Sequence, residues 1–150
     1  MALSKSKVDR LGERLREGSP TEEDLQVLET YKQSFGPAYE SVLEKLRRRA
    51  VSVKGRPEKS TLSIVAKLRR EKMRLARMQD IAGCRIVVND IIEQNSLVEE
   101  LKQDFPMAGV KDRRAVPSHG YRALHIIVKV FGKPVEIQIR SALQQLWAEI

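Results

Sequence analysis

The sequence predicts a mixed α/β or α+β domain, a layer of strands with helices packed against it. Three observations point there. The first third of the chain carries apolar residues at helical spacing. Residues 86–88 and 123–139 hold short apolar or alternating runs that suit strands. Helical runs with capping residues separate these stretches, so helices and strands alternate along the chain. The chain has 150 residues, 41% hydrophobic and 32% charged, enough for a single domain with a real core.

Residues 1–50 read as a helical N-terminal segment, and residues 51–150 as the core that carries the motifs. Ser19-Pro20-Thr21-Glu22-Glu23 is a helix start, with Ser19 or Thr21 as cap and acids in the first turn. Leu25, Leu28, Tyr31 and Lys32 open an amphipathic face, which Gly36-Pro37 breaks or kinks. Tyr39, Val42, Leu43 and Leu46 resume the period up to Arg47-Arg48-Arg49. That run suits a helix C-terminus and is also compatible with a nucleic-acid patch.

Lys54-Gly55-Arg56-Pro57 is expected as a loop. A helix should follow from Ser60 or Thr61 to about Arg77, with Leu62, Val65, Ala66, Leu68 and Leu75 facing inward. After the strand at 86–88, Asn89 or Asp90 caps a helix bearing Ile91, Ile92, Leu97, Val98 and Leu101. Residues 110–115 suit an edge strand, Pro117-Ser118-His119-Gly120 a loop, and residues 123–131 a strand. Gly132-Lys133 reads as a two-residue turn into a strand at 135–139, which makes a hairpin. Ser141 starts the last helix.

The formal net charge of +8 attracts polyanions such as nucleotides, RNA or an anionic surface, without choosing among them. No apolar run follows the N-terminal lysines, so no secretory signal is evident. No apolar stretch approaches the ~20 residues of a membrane helix. The single cysteine, Cys84, lies in an apolar run and reads as a buried structural thiol. A cytoplasmic protein with no membrane partner is the expectation.

Chemistry concentrates in three stretches. These are Asp80-Ile81-Ala82-Gly83-Cys84-Arg85, Gly120-Tyr121-Arg122-Ala123-Leu124-His125 and Glu136-Ile137-Gln138-Ile139-Arg140. On the last, the period of two puts Glu136, Gln138 and Arg140 on one face and Val135, Ile137 and Ile139 on the other. Such a polar face is either solvated or the floor of a site. If its strand neighbours the one after Asp80, Asp80 and Glu136 meet at one end of a sheet. Two carboxylates among arginines and lysines suit a magnesium nucleotide and phosphoryl transfer. Lys59 and Lys67 flank Ser63 at intervals of four, so all three fall near one helical face able to hold a triphosphate.

With Arg56, Lys59, Ser63-Ile64 and Lys67 preceding them, these stretches resemble the successive motifs of the RelA/SpoT synthetase domain, from about Arg56 to Trp147. The resemblance implies the nucleotidyltransferase-like mixed sheet with flanking helices. The implied activity is a GTP diphosphokinase of the stringent response, moving pyrophosphate from ATP to the ribose 3′-hydroxyl of GDP or GTP to make ppGpp or pppGpp. Arg56 and Arg85 would stack on adenine, and Lys59, Ser63 and Lys67 would hold the ATP phosphates. Asp80 would bind Mg²⁺, and Glu136 would bind it too or act as general base. Tyr121 would stack on the acceptor guanine, Arg122 and His125 would approach its phosphates, and Gln138 and Arg140 would shape the floor of that site. The short chain, with no hydrolase domain upstream, resembles the small alarmone synthetases.

Three departures accompany the resemblance. The Arg56–Ser63 spacing is one residue longer than the family's, and His119 stands where the family often has asparagine. The chain stops at Trp147-Ala148-Glu149-Ile150, where the family's last helix usually continues, and the sequence leaves open whether it is truncated at Ile150. Two further readings stay open. One is a toxic relative that modifies the 3′ CCA end of tRNA or makes adenosine alarmones, with an antitoxin partner. The other is an inactive nucleotide- or RNA-binding module. A homo-oligomer is compatible with any of them.

Overall fold

The computed structural model describes residues 3–49, 51–112, 114 and 123–149. Among them the N-terminal third is helical, as expected, but it holds three helices: α1 (Lys5–Glu17), α2 (Glu22–Gln33) and α3 (Gly36–Arg48). Thr21 is the cap of α2: its hydroxyl accepts from Asp24 N–H while the Asp24 carboxylate accepts from Thr21 N–H. Gly36-Pro37 opens α3 in place of extending α2. Leu28, Tyr31, Tyr39, Val42, Leu43 and Leu46 are buried, whereas Leu25 is exposed.

Three local expectations are corrected. Residues 54–56, expected as loop, belong to strand β1 (Val53–Arg56). The next helix, α4 (Thr61–Glu71), is capped by the Ser60 hydroxyl but ends six residues early. Lys72 turns left-handed at φ 49°, and a separate 3-10 turn covers Leu75–Arg77. Leu62 and Ala66 therefore do not face inward: Leu62 is 84% exposed and Ala66 is exposed, while Ile64, Leu68 and Leu75 are buried.

β2 (Gly83–Val88) leads to α5 (Ile91–Asp104), capped by the Asp90 carboxylate, and to the edge strand β3 (Gly109–Asp112). Ile91 and Ile92 are exposed on α5, while Leu97, Val98 and Leu101 are buried. β4 (Leu124–Val130) and β5 (Lys133–Ser141) form the expected hairpin, but its turn is Phe131-Gly132, one residue earlier. Both turn residues have positive φ, 51° and 75°, the conformation of a tight hairpin twist. Ser141 closes β5, and its hydroxyl accepts from Gln144 N–H at the start of α6 (Ala142–Glu149).

The sheet runs β1-β2-β5-β4-β3, antiparallel except for the parallel β2–β5 pair at its centre. One face is apolar: Ile86, Ile126, Val128, Val135, Ile137 and Ile139 are buried in the same cluster as Val42 and Leu46 of α3 and Leu97 and Leu101 of α5. Gly55 lies over the ring of Tyr39, and a Cβ there would collide with the tyrosine hydroxyl. α3 thus sets the height of β1 and of the basic residues beside Gly55. No helix among the described residues is long and apolar enough to cross a membrane.

Candidate functional site

The opposite face of the sheet is polar, and strand register composes it. In a sheet, directly paired residues share a face. Lys54 pairs with Arg85, Arg85 with Gln138, Gln138 with His125, and His125 with Lys111. One step along, Arg56 pairs with Gly83 and Gly83 with Glu136. Three of the sequence-predicted motifs thus fall on one surface, and the conditional placement of Asp80 and Glu136 on neighbouring segments holds. The parallel register brings Gly83, three residues after Asp80, beside Glu136, and Glu136 N–H donates to the Ala82 carbonyl at 3.1 Å.

Asp80 is 8% exposed and held by two lysines. Lys59 Nζ donates to Oδ2 at 2.8 Å, and Lys67 Nζ lies 3.0 Å from Oδ1. The Lys67 contact is at hydrogen-bond distance but poorly aligned, so Oδ1 is buried against an ammonium without a well-aligned donor. Burial opposes ionisation of Asp80, but the Lys59 hydrogen bond, both lysine charges and the close Lys67 contact outweigh it and hold the carboxyl below its ordinary range. The loop around it is tied down: Lys59 N–H donates to the Ile81 carbonyl at 2.6 Å, and Arg56 donates to the Asp80 carbonyl at 3.2 Å.

Glu136 heads a chain of polar contacts along β5. His125 Nδ1 lies 3.3 Å from Oε2, and Gln138 donates to Oε1 at 2.9 Å. Arg140 in turn donates to Gln138 Oε1 at 3.1 Å and to Gln145 Oε1 at 2.9 Å. Burial again opposes ionisation, but the hydrogen bond and charge of His125, with the Gln138 amide, prevail over it and over the repulsion of Asp80. The Glu136 carboxyl is therefore held below the ordinary range. Cys84 lies on the other face, where burial and then the Glu136 charge push its thiol up to about 12, so it stays protonated and inert, as expected.

Two hollows share Glu136 and Gln138 in their walls. The smaller, about 210 Å³, is lined by Lys54, Arg56 and Arg85. The larger, about 520 Å³, holds Lys67, Asp80, His125 and Arg140, with Arg70, Arg77 and Lys111 at its sides. Ser63 is exposed on the first turn of α4, bonded to Ser60, and lines neither hollow. Tyr121 and Arg122, together with His119, lie outside the described residues. Sequence reasoning missed Lys54 and Lys111. Each is a lone lysine on an edge strand, without a local signal, and only strand pairing places it.

A mixed sheet with one face against helices and the other carrying two carboxylates in a basic cleft is a nucleotidyltransferase-like fold. Residues 55–150 match the family described as "Region found in RelA / SpoT proteins", and the chain belongs to that family. It is 35% identical to the GTP pyrophosphokinase YwaC of Bacillus subtilis over 109 residues, 61% of this chain and 52% of that protein. It is 32% identical to the probable chloroplastic GTP diphosphokinase RSH3 of Arabidopsis thaliana over 120 residues, 75% of this chain and 17% of that protein. An uncharacterised protein of Mycobacterium tuberculosis is 42% identical over 94 residues, 60% of this chain and 34% of that protein, so the chain spans about a third of that relative's length.

Among solved structures, the small alarmone synthetase 1 of Bacillus subtilis is similar with a TM-score of 0.60 at 27% identity, covering 81% of this chain and 76% of that one. The smu.1046c protein of Streptococcus mutans UA159 is similar with a TM-score of 0.54 at 26% identity, covering 85% and 75%.

Proposed function

We propose that this chain is an ATP-dependent pyrophosphokinase whose acceptor is GDP or GTP. The observation that carries this reading is the parallel β2–β5 register, which brings the segment of Asp80 beside Glu136 in a basic cleft. Relatives named GTP pyrophosphokinase and GTP diphosphokinase support it.

The residues fit a magnesium ion. Asp80 Oδ1 is buried without a well-aligned donor, facing the Lys67 ammonium, and Glu136 is a second carboxylate in the wall of the same hollow. Asp80, with Glu136 as second carboxylate, would hold Mg²⁺, which when bound neutralises phosphate charge. Arg56 and Arg85 share the smaller hollow, whose planar guanidiniums suit a purine face. Lys67 would take the triphosphate, the Ser63 hydroxyl on the same helix would add to it, and Lys59, which the sequence pattern also offers to the phosphates, would hold Asp80. Tyr121, Arg122 and His125 would receive the acceptor, with Gln138 and Arg140 beneath it.

In the reaction, the acceptor's ribose 3′-oxygen attacks the β-phosphorus of ATP. The bond from that phosphorus to the α–β bridging oxygen breaks, the β,γ-pyrophosphoryl group stays on the 3′-oxygen, and AMP leaves with the bridging oxygen. We assign the 3′-hydroxyl proton to Glu136, which stands ionised with the His125 imidazole beside it.

The test is incubation with γ-labelled ATP and Mg²⁺, offering GDP, GTP, ATP or deacylated tRNA in parallel. Label on guanosine nucleotide is the expected result. Label on tRNA or on an adenosine nucleotide alone would move the protein to the toxic branch, where an antitoxin partner is to be sought. No transfer to any acceptor would overturn the enzymatic reading.

A further inference from the structure

The two lysines on Asp80 are not equivalent, and the difference bears on how the site fills. The Lys59 side chain is 11% exposed, its Nζ makes an aligned hydrogen bond to Oδ2, and its own N–H is anchored to the Ile81 carbonyl. Lys67 comes from α4, its side chain is 19% exposed, and it meets Oδ1 at 3.0 Å in a more poorly aligned contact than that of Lys59. Its ammonium also borders the larger hollow.

Two lysines on Asp80, with Arg70, Arg77, Lys111 and Arg140 around the same hollow against Glu71 and Glu136, leave the site with a local excess of positive charge. Such a site repels a free divalent cation and draws in a polyanion. Among the described residues, moreover, no group of three or more metal-ligating side chains offsets this. A metal reaching Asp80 must therefore take Oδ1 in competition with the Lys67 ammonium. An incoming triphosphate offers that ammonium better partners, several formal charges on a flexible chain.

We propose that Lys67 is an exchangeable guard on Asp80: it occupies Oδ1 in the free protein, passes to the triphosphate when nucleotide binds, and only then opens Asp80 to a divalent cation, while Lys59 stays in place throughout. This rests on the reading of the cleft as a magnesium–triphosphate site. Its consequence is that nucleotide and metal bind with positive coupling, and that one lysine opposes metal binding while favouring nucleotide binding.

The experiment uses the full chain and Mn²⁺ alone, titrated by the loss of the free-ion electron paramagnetic resonance signal. Wild type should bind Mn²⁺ weakly at this site. Lys67→Met should tighten Mn²⁺ binding on the order of tenfold, by removing a unit charge at contact distance. The double variant with Asp80→Asn should lose that gain. In equilibrium dialysis the same Lys67→Met protein should bind a non-hydrolysable ATP analogue more weakly than wild type. Lys67→Gln gives the same comparison should the methionine variant be unstable. Unchanged or weaker Mn²⁺ binding on removal of Lys67, or a gain that survives loss of Asp80, would overturn the guard. Failure of wild type to bind the ATP analogue at all would instead overturn the nucleotide reading, and the Mn²⁺ titration keeps the two outcomes apart.

Discussion

Gly83 faces Glu136 across the parallel β2–β5 pair so closely that a Cβ on residue 83 would lie 2.9 Å from the Glu136 carbonyl oxygen and 3.7 Å from its Cβ. The atom in the way is backbone, so it cannot swing aside. Gly83→Ala should push the two central strands apart at the site, costing about 1–3 kcal/mol of stability, as overpacking does. Turnover should fall as well, because Glu136 moves relative to Asp80. Urea unfolding and the labelled-ATP assay measure the two effects, and a variant with parental values in both would mean that strand contact here is looser than described.

Glu136→Gln keeps the size of the side chain and removes its charge. Turnover should drop by roughly 10²–10⁴, the usual worth of a general base, while a non-hydrolysable ATP analogue still binds. Mn²⁺ affinity measured in that variant separates the roles. Retained affinity assigns Glu136 to the proton, whereas a loss makes it a second metal ligand.

Acid should weaken the fold through this pair. Both Asp80 and Glu136 are held below their ordinary values in the folded protein. A depressed carboxylate contributes its full stability above its unfolded value, about 4, and loses it as pH falls through that value toward the folded one. Urea midpoints taken between about pH 6 and about pH 3 should therefore decline on the acid side. The decline should be shallower in Glu136→Gln, and a parallel curve would show that this carboxyl is not depressed. Removing His125 should shift the acid limb of the activity profile upward, since His125 is the main group favouring the charged form of Glu136.

Arg49 joins α3 to α5 through a two-pronged contact with Asp104, at 2.8 and 2.7 Å. The pair is partly exposed and screened by solvent, so Arg49→Ala should lower the urea midpoint only slightly. Lys at this position should not restore it, because an ammonium cannot match the planar fork. Of the triple arginine, this residue is engaged structurally, and Arg48 pairs with Glu44. A salt-dependent fall in polyanion binding on Arg49→Ala would return the run to the nucleic-acid reading.

Much of this was legible in the chain because it depends on local period. Alternation along residues 135–140 separated the polar face from the apolar one before any partner strand was known, and the helix caps at Thr21, Ser60 and Asp90 follow from their own side chains. What escaped depends on distant contacts. Gly55 and Pro57 look like loop punctuation, yet Gly55 is in a strand paired with Cys84, where Tyr39 leaves no room for a side chain. The hairpin turn was displaced because Phe131 adopts a positive φ that bulky residues rarely take. Nothing in Glu71-Lys72-Met73-Arg74 ends a helix by composition, since all four residues are good helix formers. The lysine clasp on Asp80 was invisible for a different reason. The same lysines satisfy a phosphate-binding pattern, and only geometry shows what they hold when no phosphate is there.

The strand order carries a consequence for how the protein is made. Among the described strands β5 comes last in chain order and is the central one in space, inserted between β2 and β4. As the chain leaves the ribosome, β1 can pair with β2 and β3 with β4, but the two halves have no common neighbour until residues 133–141 emerge. A nascent chain stopped short of that point would carry Asp80 with its lysines and no Glu136 opposite. The fold therefore delays assembly of the site until β5 closes this sheet, through a non-local pairing of the kind that forms slowly.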